Sequence, residues 1–98
     1  MFKIPKIIHQ IWLGPNTKPD IWMNSWKNEY CKKYPDWEYK LWTEKEINEF
    51  GLKNKKQYDY EKFYNGKSDI ARYEILNKYG GVFIDADSLW IKESKITL

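Results

Sequence analysis

The sequence predicts an α/β fold built on a small, mainly parallel sheet. Two observations carry this. β-forming apolar runs alternate with helical stretches between Lys6 and Asp85, in the order strand, helix, strand, helices, strand. That order is the pattern of parallel strands joined by helical crossovers. The clearest helix also runs through Gly80 and Gly81 into the apolar run Val82, Phe83 and Ile84, as a crossover feeding a buried strand does. At 98 residues there is room for one small domain, so residues 1–98 are read as a single unit.

Each element has a local reason. Lys6 to Leu13 reads as a strand, because Ile7, Ile8, Ile11, Trp12 and Leu13 are apolar and mostly β-formers. Gly14, Pro15 and Asn16 stop it. Pro19 and Asp20 suit the first turn of a helix. Trp22, Trp26, Tyr30 and Tyr34 then recur every four residues until Pro35. Trp37 to Trp42 reads as a second strand, with Trp37, Tyr39 and Leu41 alternating with Glu38, Lys40 and Trp42. Thr43 and Glu46 form a capping box for a short helix that ends at Phe50 and Gly51. Lys53 to Gln57 reads as a polar linker and Tyr58 to Tyr64 as a helix, with Asn65 and Gly66 as a break. Ser68 is the expected N-cap of a helix to Tyr79, and Gly80 sits where a left-handed C-cap is wanted. Gly81 to Asp85 is the last expected strand.

Composition narrows the function classes. There are 17 Lys and Arg against 14 Asp and Glu, a net charge of +3, too small and too interspersed to indicate nucleic-acid binding. Aromatic residues make up 18% of the chain, enough for a core and for stacking walls around bases or sugars. Cys31 is the lone cysteine and His9 the lone histidine, so neither an intrachain disulfide nor a thiolate zinc site can form. Cys31 is expected to be a small helix filler and His9 a structural polar residue of the first strand. The N-terminus has no apolar core of signal-peptide length, and no stretch approaches the ~18 apolar residues of a membrane span. The expected location is cytoplasmic.

The residues that point to chemistry lie between Ser68 and Asp87. Asp85 and Asp87 follow an apolar run, where a carboxylate is out of place without a use. Two carboxylates at the mouth of a buried strand suit a hard divalent cation, which takes oxygen ligands and often bridges phosphates. If the extended backbone persists, alternation puts Phe83, Asp85 and Asp87 on one face. In open α/β sheets the ligand crevice lies at the carboxyl ends of the strands. On a helical wheel for Ser68–Tyr79, Glu74, Asn77 and Lys78 form the wet side, and Ile70 falls near it. Tyr73, Ile75, Leu76 and Tyr79 lie opposite. Asp69 and Arg72 fall inside the apolar arc, three residues apart, so they can meet. They are either a buried pair that fixes packing or a guanidinium fork for a diphosphate, with Asp69 holding it in place or accepting from a ribose or sugar hydroxyl.

Three blocks resemble a known family. They are Ile4 to Gly14 (IPKIIHQIWLG), Pro35 to Trp42 (PDWEYKLW) and Ser68 to Asp87. Together they resemble the sugar-binding DXD family of glycosyltransferases, which includes a yeast initiating α-1,6-mannosyltransferase and bacterial capsular polysaccharide synthesis proteins. Glucosylating bacterial toxins share a similar arrangement. The resemblance implies a Rossmann-like GT-A fold, a nucleotide-sugar donor, a glycan acceptor, Mn²⁺ or Mg²⁺, generally retaining chemistry and a place in polysaccharide biosynthesis. It implies that Trp12 stacks on the nucleobase and that Asp69 and Arg72 contact the sugar, with Arg72 also near the phosphates. Asp85 would touch the ribose or donor sugar and Asp87 would ligate the metal directly. Phe83 stands where the related toxins carry a tyrosine. Family catalytic domains continue past the DXD motif, whereas this chain stops eleven residues after Asp87. It is therefore expected to be the donor-binding half, completed by a C-terminal half or a partner chain.

Two other readings compete with this one. Val82 to Ser88 also resembles the first motif of haloacid-dehalogenase-like phosphatases, where the first aspartate is a nucleophile. There the motif opens the domain, and here it closes the chain. The other rival is a non-catalytic fragment that folds or binds without turnover.

Overall fold

The computed structural model describes residues 4–91 and 95–96. It is a small α/β domain on a three-stranded sheet of order β2-β1-β3. β1 (Ile7–Ile11) is central and pairs in parallel with β2 (Glu38–Trp42) and β3 (Val82–Phe83). The register sets Ile8 against Tyr39 and against Val82.

Alternation along β1 sends its side chains to two separate cores. Ile11 and Leu13 join Trp42, Ile47, Leu52, Tyr58, Ala71 and Ile75. Ile8 joins Tyr30, Trp37 and Trp90. Helices therefore cover both sheet faces. Ile8 and Ile75 are almost wholly buried, and each such side chain contributes about 1.5–3 kcal/mol of transfer free energy.

The second core is built around Tyr30. Its ring centroid lies 4.8 Å from that of Tyr34, 5.3 Å from those of Trp26 and Trp90, and 5.8 Å from that of Trp37. The helical stretch supplying it starts as α1 (Asp20–Asn24), continues as a π-helical segment (Ser25–Tyr30) and ends as α2 (Cys31–Lys33). Residues four apart overshoot one α-turn, and the wider i→i+5 turns absorb that drift. This explains how Trp26, Tyr30 and Tyr34 reach one cluster. Trp22, the first member of the stripe, is 42% exposed. Cys31 is a partly buried free thiol beside this core, and burial pushes its pKa up.

The other face carries α3 (Glu44–Phe50), α4 (Lys55–Tyr60) and α5 (Tyr64–Tyr79). The capping box of Thr43 and Glu46 forms, and Gly51 closes α3 in the left-handed region. Four expectations need correction here. The polar stretch from Lys53 is not a linker, because α4 begins at Lys55. Glu74 of α5 accepts the Lys53 and Asn54 N–H groups at 2.7 and 3.0 Å, so a tertiary contact ties down the two residues that lead into α4. The expected helix from Tyr58 to Tyr64 ends at Tyr60. Asn65 and Gly66 do not break the chain but lie in the first turn of α5, so Ser68 is not its N-cap. Glu61 accepts the Phe63 N–H at 3.2 Å, and the absence of a Cβ on Gly66 gives the Glu61 side chain room. Finally, α5 packs through Ala71 and Ile75, with Ile70 and Tyr79 against the same core, while Tyr73 is 74% exposed. The buried arc is therefore centred on Ala71 rather than on Arg72 and Tyr73.

His9 is the buried joint between β1 and the α5–β3 turn. The Trp42 indole N–H donates to His9 Nδ1 at 3.1 Å, and His9 Nε2 lies 2.9 Å from the Gly80 carbonyl. An indole nitrogen only donates, so Nδ1 must accept and Nε2 must carry the proton. The ring is neutral. Burial holds its pKa below the usual histidine value, Lys40 adds like-charge repulsion, and the Gly80 hydrogen bond opposes both. Below about pH 6.5 the unfolded chain thus binds more protons than the folded one. The contribution of neutral His9 is full above that pH and declines as pH falls toward the depressed folded value. Urea unfolding between pH 7.5 and 5 should show stability falling with acid by up to ~1.4 kcal/mol per pH unit from this one group. A His9→Gln variant should flatten that slope. An unchanged slope would assign the acid sensitivity elsewhere.

Candidate functional site

Strand order places the site. From β1 the chain crosses to β2 on one side and then returns to β3 on the other. The β1/β3 boundary is thus a switch point, and in open α/β sheets the crevice beyond the strand ends at such a point takes ligands. The two loops that leave there carry Trp12 to Gly14 and Asp85 to Asp87.

The β1 exit is held firmly. The Trp12 backbone N–H donates to Trp42 O at 2.9 Å, and its indole N–H donates to Asn16 O at 2.9 Å. The ring is half-buried and belongs to neither core. Gly14, at φ +93°, gives its N–H to Glu44 Oε2 at 2.7 Å, and the Tyr64 ring closes over its bare Cα.

The β3 exit departs from expectation. The strand is only two residues long, although the Ile84 N–H still donates to His9 O at 3.0 Å. The extended backbone does not persist to Asp87. Ser88 N–H donates to Asp85 O at 3.1 Å and closes a turn. Within it Ala86 is buried, while Asp85 and Asp87 are exposed. Gln10 Nε2 holds the Asp85 carbonyl from below at 3.2 Å, and the Trp26 indole holds the Ser88 carbonyl at 3.0 Å. Among the described residues neither Asp85 nor Asp87 uses its carboxylate in a hydrogen bond or ion pair.

Asp69 and Arg72 meet, but not inside the core. Arg72 Nη2 lies 3.4 Å from Asp69 Oδ1, with the two side chains 42% and 69% exposed. An exposed pair of this kind is worth at most about 1 kcal/mol, so the reading of a buried packing pair falls. The shift of the α5 arc explains it: Arg72 sits at the edge of the buried stripe and lays its guanidinium 5.2 Å from the Phe83 ring centroid. That contact sets Arg72 beside β3, just before the acidic turn.

Asp85 and Asp87 offer hard oxygens, and no group of three or more His, Cys, Asp or Glu gathers among the described residues. That does not make a closed protein cage. It does fit an Mg²⁺-like ion, which keeps several waters and is held by one or two carboxylates plus substrate phosphates. An open groove of about 430 Å³ lies elsewhere, lined by Asn28, Glu29, Lys32, Lys33 and Trp90. It contains none of these residues, and the chemistry favours the strand ends.

A family model described as the glycosyltransferase sugar-binding region containing DXD motif matches residues 19–97. The chain belongs to this family. Inositol phosphoceramide mannosyltransferase 3 of Schizosaccharomyces pombe is 40% identical over 88 residues, covering 86% of this chain and 24% of that protein. Mannosyl phosphorylinositol ceramide synthase SUR1 of Saccharomyces cerevisiae is 37% identical over 89 residues, covering 86% and 22%. A glycosyltransferase, L373, of Acanthamoeba polyphaga mimivirus is 33% identical over 90 residues, covering 86% and 36%. The chain spans about a quarter of the length of the yeast relatives it matches. No solved structure matches. The Asp85–Asp87 pair is this chain's DXD sequence.

Sequence reasoning missed Gln10, Tyr39, Glu44 and Glu74. Gln10 had a signal: a long polar side chain within an otherwise apolar central strand. The other three act through contacts across more than twenty residues, which local patterns do not carry.

Proposed function

We propose that this chain forms the donor-binding part of a GT-A-type glycosyltransferase that uses a nucleotide-sugar and a divalent cation, Mn²⁺ or Mg²⁺, with retention at the anomeric carbon. The observation that carries this reading is the convergence of Trp12 and the free Asp85 and Asp87 carboxylates on one switch point of a parallel sheet. The names of the yeast relatives favour mannose as the sugar and an inositol phosphoceramide as the acceptor. Further chain, or a partner chain, would supply the acceptor side.

The residues divide the work. Trp12, its ring fixed by Asn16, offers a face to the nucleobase. Arg72, steadied by Asp69 and Phe83, offers a planar fork to phosphate oxygens or sugar hydroxyls. Asp85 contacts the ribose or donor sugar, and Asp87 holds the cation. When bound, the cation supplies positive charge against the departing diphosphate.

Titration of the chain with UDP or GDP tests this reading. Binding should require Mn²⁺ or Mg²⁺ and disappear in excess chelator. Trp12→Phe should weaken it by about 1 kcal/mol, roughly fivefold, with no more than the ~1 kcal/mol of stability that the lost indole–Asn16 hydrogen bond costs. Equal affinity in chelator would refute the metal. Unchanged nucleotide affinity with a lowered melting temperature would return Trp12 to a packing role.

A further inference from the structure

We propose that Gln10 and Tyr39 form a positioning relay that holds the Asp85–Asp87 turn in its binding shape, a role that rests on the donor-site reading. Gln10 lies in the central strand and is fully buried. A buried amide is costly unless both its ends are bonded, and here both are. Oε1 accepts from the Tyr39 hydroxyl at 2.7 Å, and Nε2 donates to the Asp85 carbonyl at 3.2 Å. The relay therefore crosses the whole sheet, from β2 through β1 to the exit of β3.

Its direction is fixed. The Asp85 carbonyl can only accept, so Nε2 must face it, Oε1 must face Tyr39, and the Tyr39 hydroxyl must donate. Burial pushes the Tyr39 pKa up to about 12, so that proton stays in place at any ordinary pH. The β1–β3 backbone ladder ends where Ile84 N–H meets His9 O. Beyond that point, the described hydrogen bonds holding Asp85 are those from Gln10 and from Ser88 N–H. They occupy both lone pairs of one carbonyl. Gln10 thus sets where the turn starts, and with it where the two carboxylates project. Neither relay residue reaches the ligand itself: Tyr39 acts through Gln10, and Gln10 acts through backbone.

Scaffolding and positioning separate in the Gln10→Met/Tyr39→Phe double variant. Replacing both partners of a buried hydrogen bond by apolar groups of similar shape is close to neutral for stability. The melting temperature should stay near that of the natural chain. Hydrogen exchange of the Ser88 amide should quicken by tenfold or more, while amides in β1 and β2 keep their protection. Mn²⁺-dependent binding of UDP or GDP should weaken by roughly ten- to a hundredfold, the range seen when a group orienting a ligand is removed. Tyr39→Phe alone keeps the ring and should show the same changes in smaller measure, which guards against a double variant that misfolds. Unchanged Ser88 exchange in both variants overturns the relay, whether or not the natural chain binds nucleotide. Quickened exchange with unchanged nucleotide affinity overturns the positioning role. Loss of protection throughout β1 and β2 in both variants would show a scaffold only and also overturn it. A natural chain that binds no Mn²⁺–nucleotide, together with selective quickening at Ser88, overturns the donor-site reading and upholds the relay's hold on the turn.

Discussion

Asp87→Asn is expected to remove Mn²⁺-dependent binding of UDP or GDP, and with it donor hydrolysis in any form of the chain long enough to turn donor over. The substitution keeps size and shape and deletes one negative charge. Asp87 is exposed, and among the described residues no group pairs with its carboxylate. Melting should therefore change by no more than about 0.5 kcal/mol of stability. Removing a group that merely orients a metal ligand costs roughly 10–100-fold in affinity, and removing a ligand itself should cost at least as much. Asp85→Asn should cost less, because Asp85 is fixed chiefly through its backbone carbonyl. Titration of metal and nucleotide followed by calorimetry or by Mn²⁺ relaxation reads the affinity losses in the two variants. Natural affinity in Asp87→Asn would end the assignment of Asp87 as a ligand, and a larger loss in Asp85→Asn would exchange the two roles.

The second large effect is on folding. Gly81→Ala is expected to lower stability by about 3 kcal/mol or more. Gly81 has φ +96°, and a Cβ there would lie 2.6 Å from Ile7 O, 3.0 Å from Ile7 Cβ and 3.2 Å from His9 Nε2. The strained φ alone costs on the order of 1–3 kcal/mol. The clash adds to this because its nearest atom is a backbone oxygen of the central strand, which cannot swing aside as a side-chain tip would. β3 must then move away from β1, taking the Ile8–Val82 pairing, the His9–Gly80 contact and the start of the DXD turn with it. For a domain of this size each kcal/mol is worth roughly 4–8 °C in melting temperature, and total stability is only about 5–15 kcal/mol. Gly51→Ala is the control. Gly51 also has positive φ, +74°, but nothing lies within 4 Å of a Cβ there. It should lose only about 1–2 kcal/mol, the cost of the left-handed backbone. Equal losses at the two sites would show that the β1–β3 approach is not tight.

What the sequence determined by itself is what short-range chemistry controls. β1 formed where a β-branched apolar run called for it, and the box of Thr43 and Glu46 capped α3 because both partners lie within one turn. Gly80 ended α5, its N–H donating to Leu76 O at 2.8 Å, because a positive φ there is open only to a residue without a Cβ. The acidic pair was legible for a related reason: carboxylates next to a buried run are costly unless solvated or used. Tertiary structure decided the rest. Glu74, twenty or more residues further on, bonds the N–H groups of Lys53 and Asn54 that lead into α4. α5 could start through Asn65 and Gly66 because Glu61 folded over the glycine. The face that α5 buries was set by Ala71, a small residue that lets the helix sit close to the sheet. A wheel weighted by large apolar side chains cannot register that. Nor could parallel pairing alone say that β1 would lie between β2 and β3. That order is a choice among packings of the same three strands, made by which helices cover which face. It is also what brings Trp12 and the Asp85–Asp87 turn, more than seventy residues apart in the chain, to the carboxyl end of two neighbouring strands.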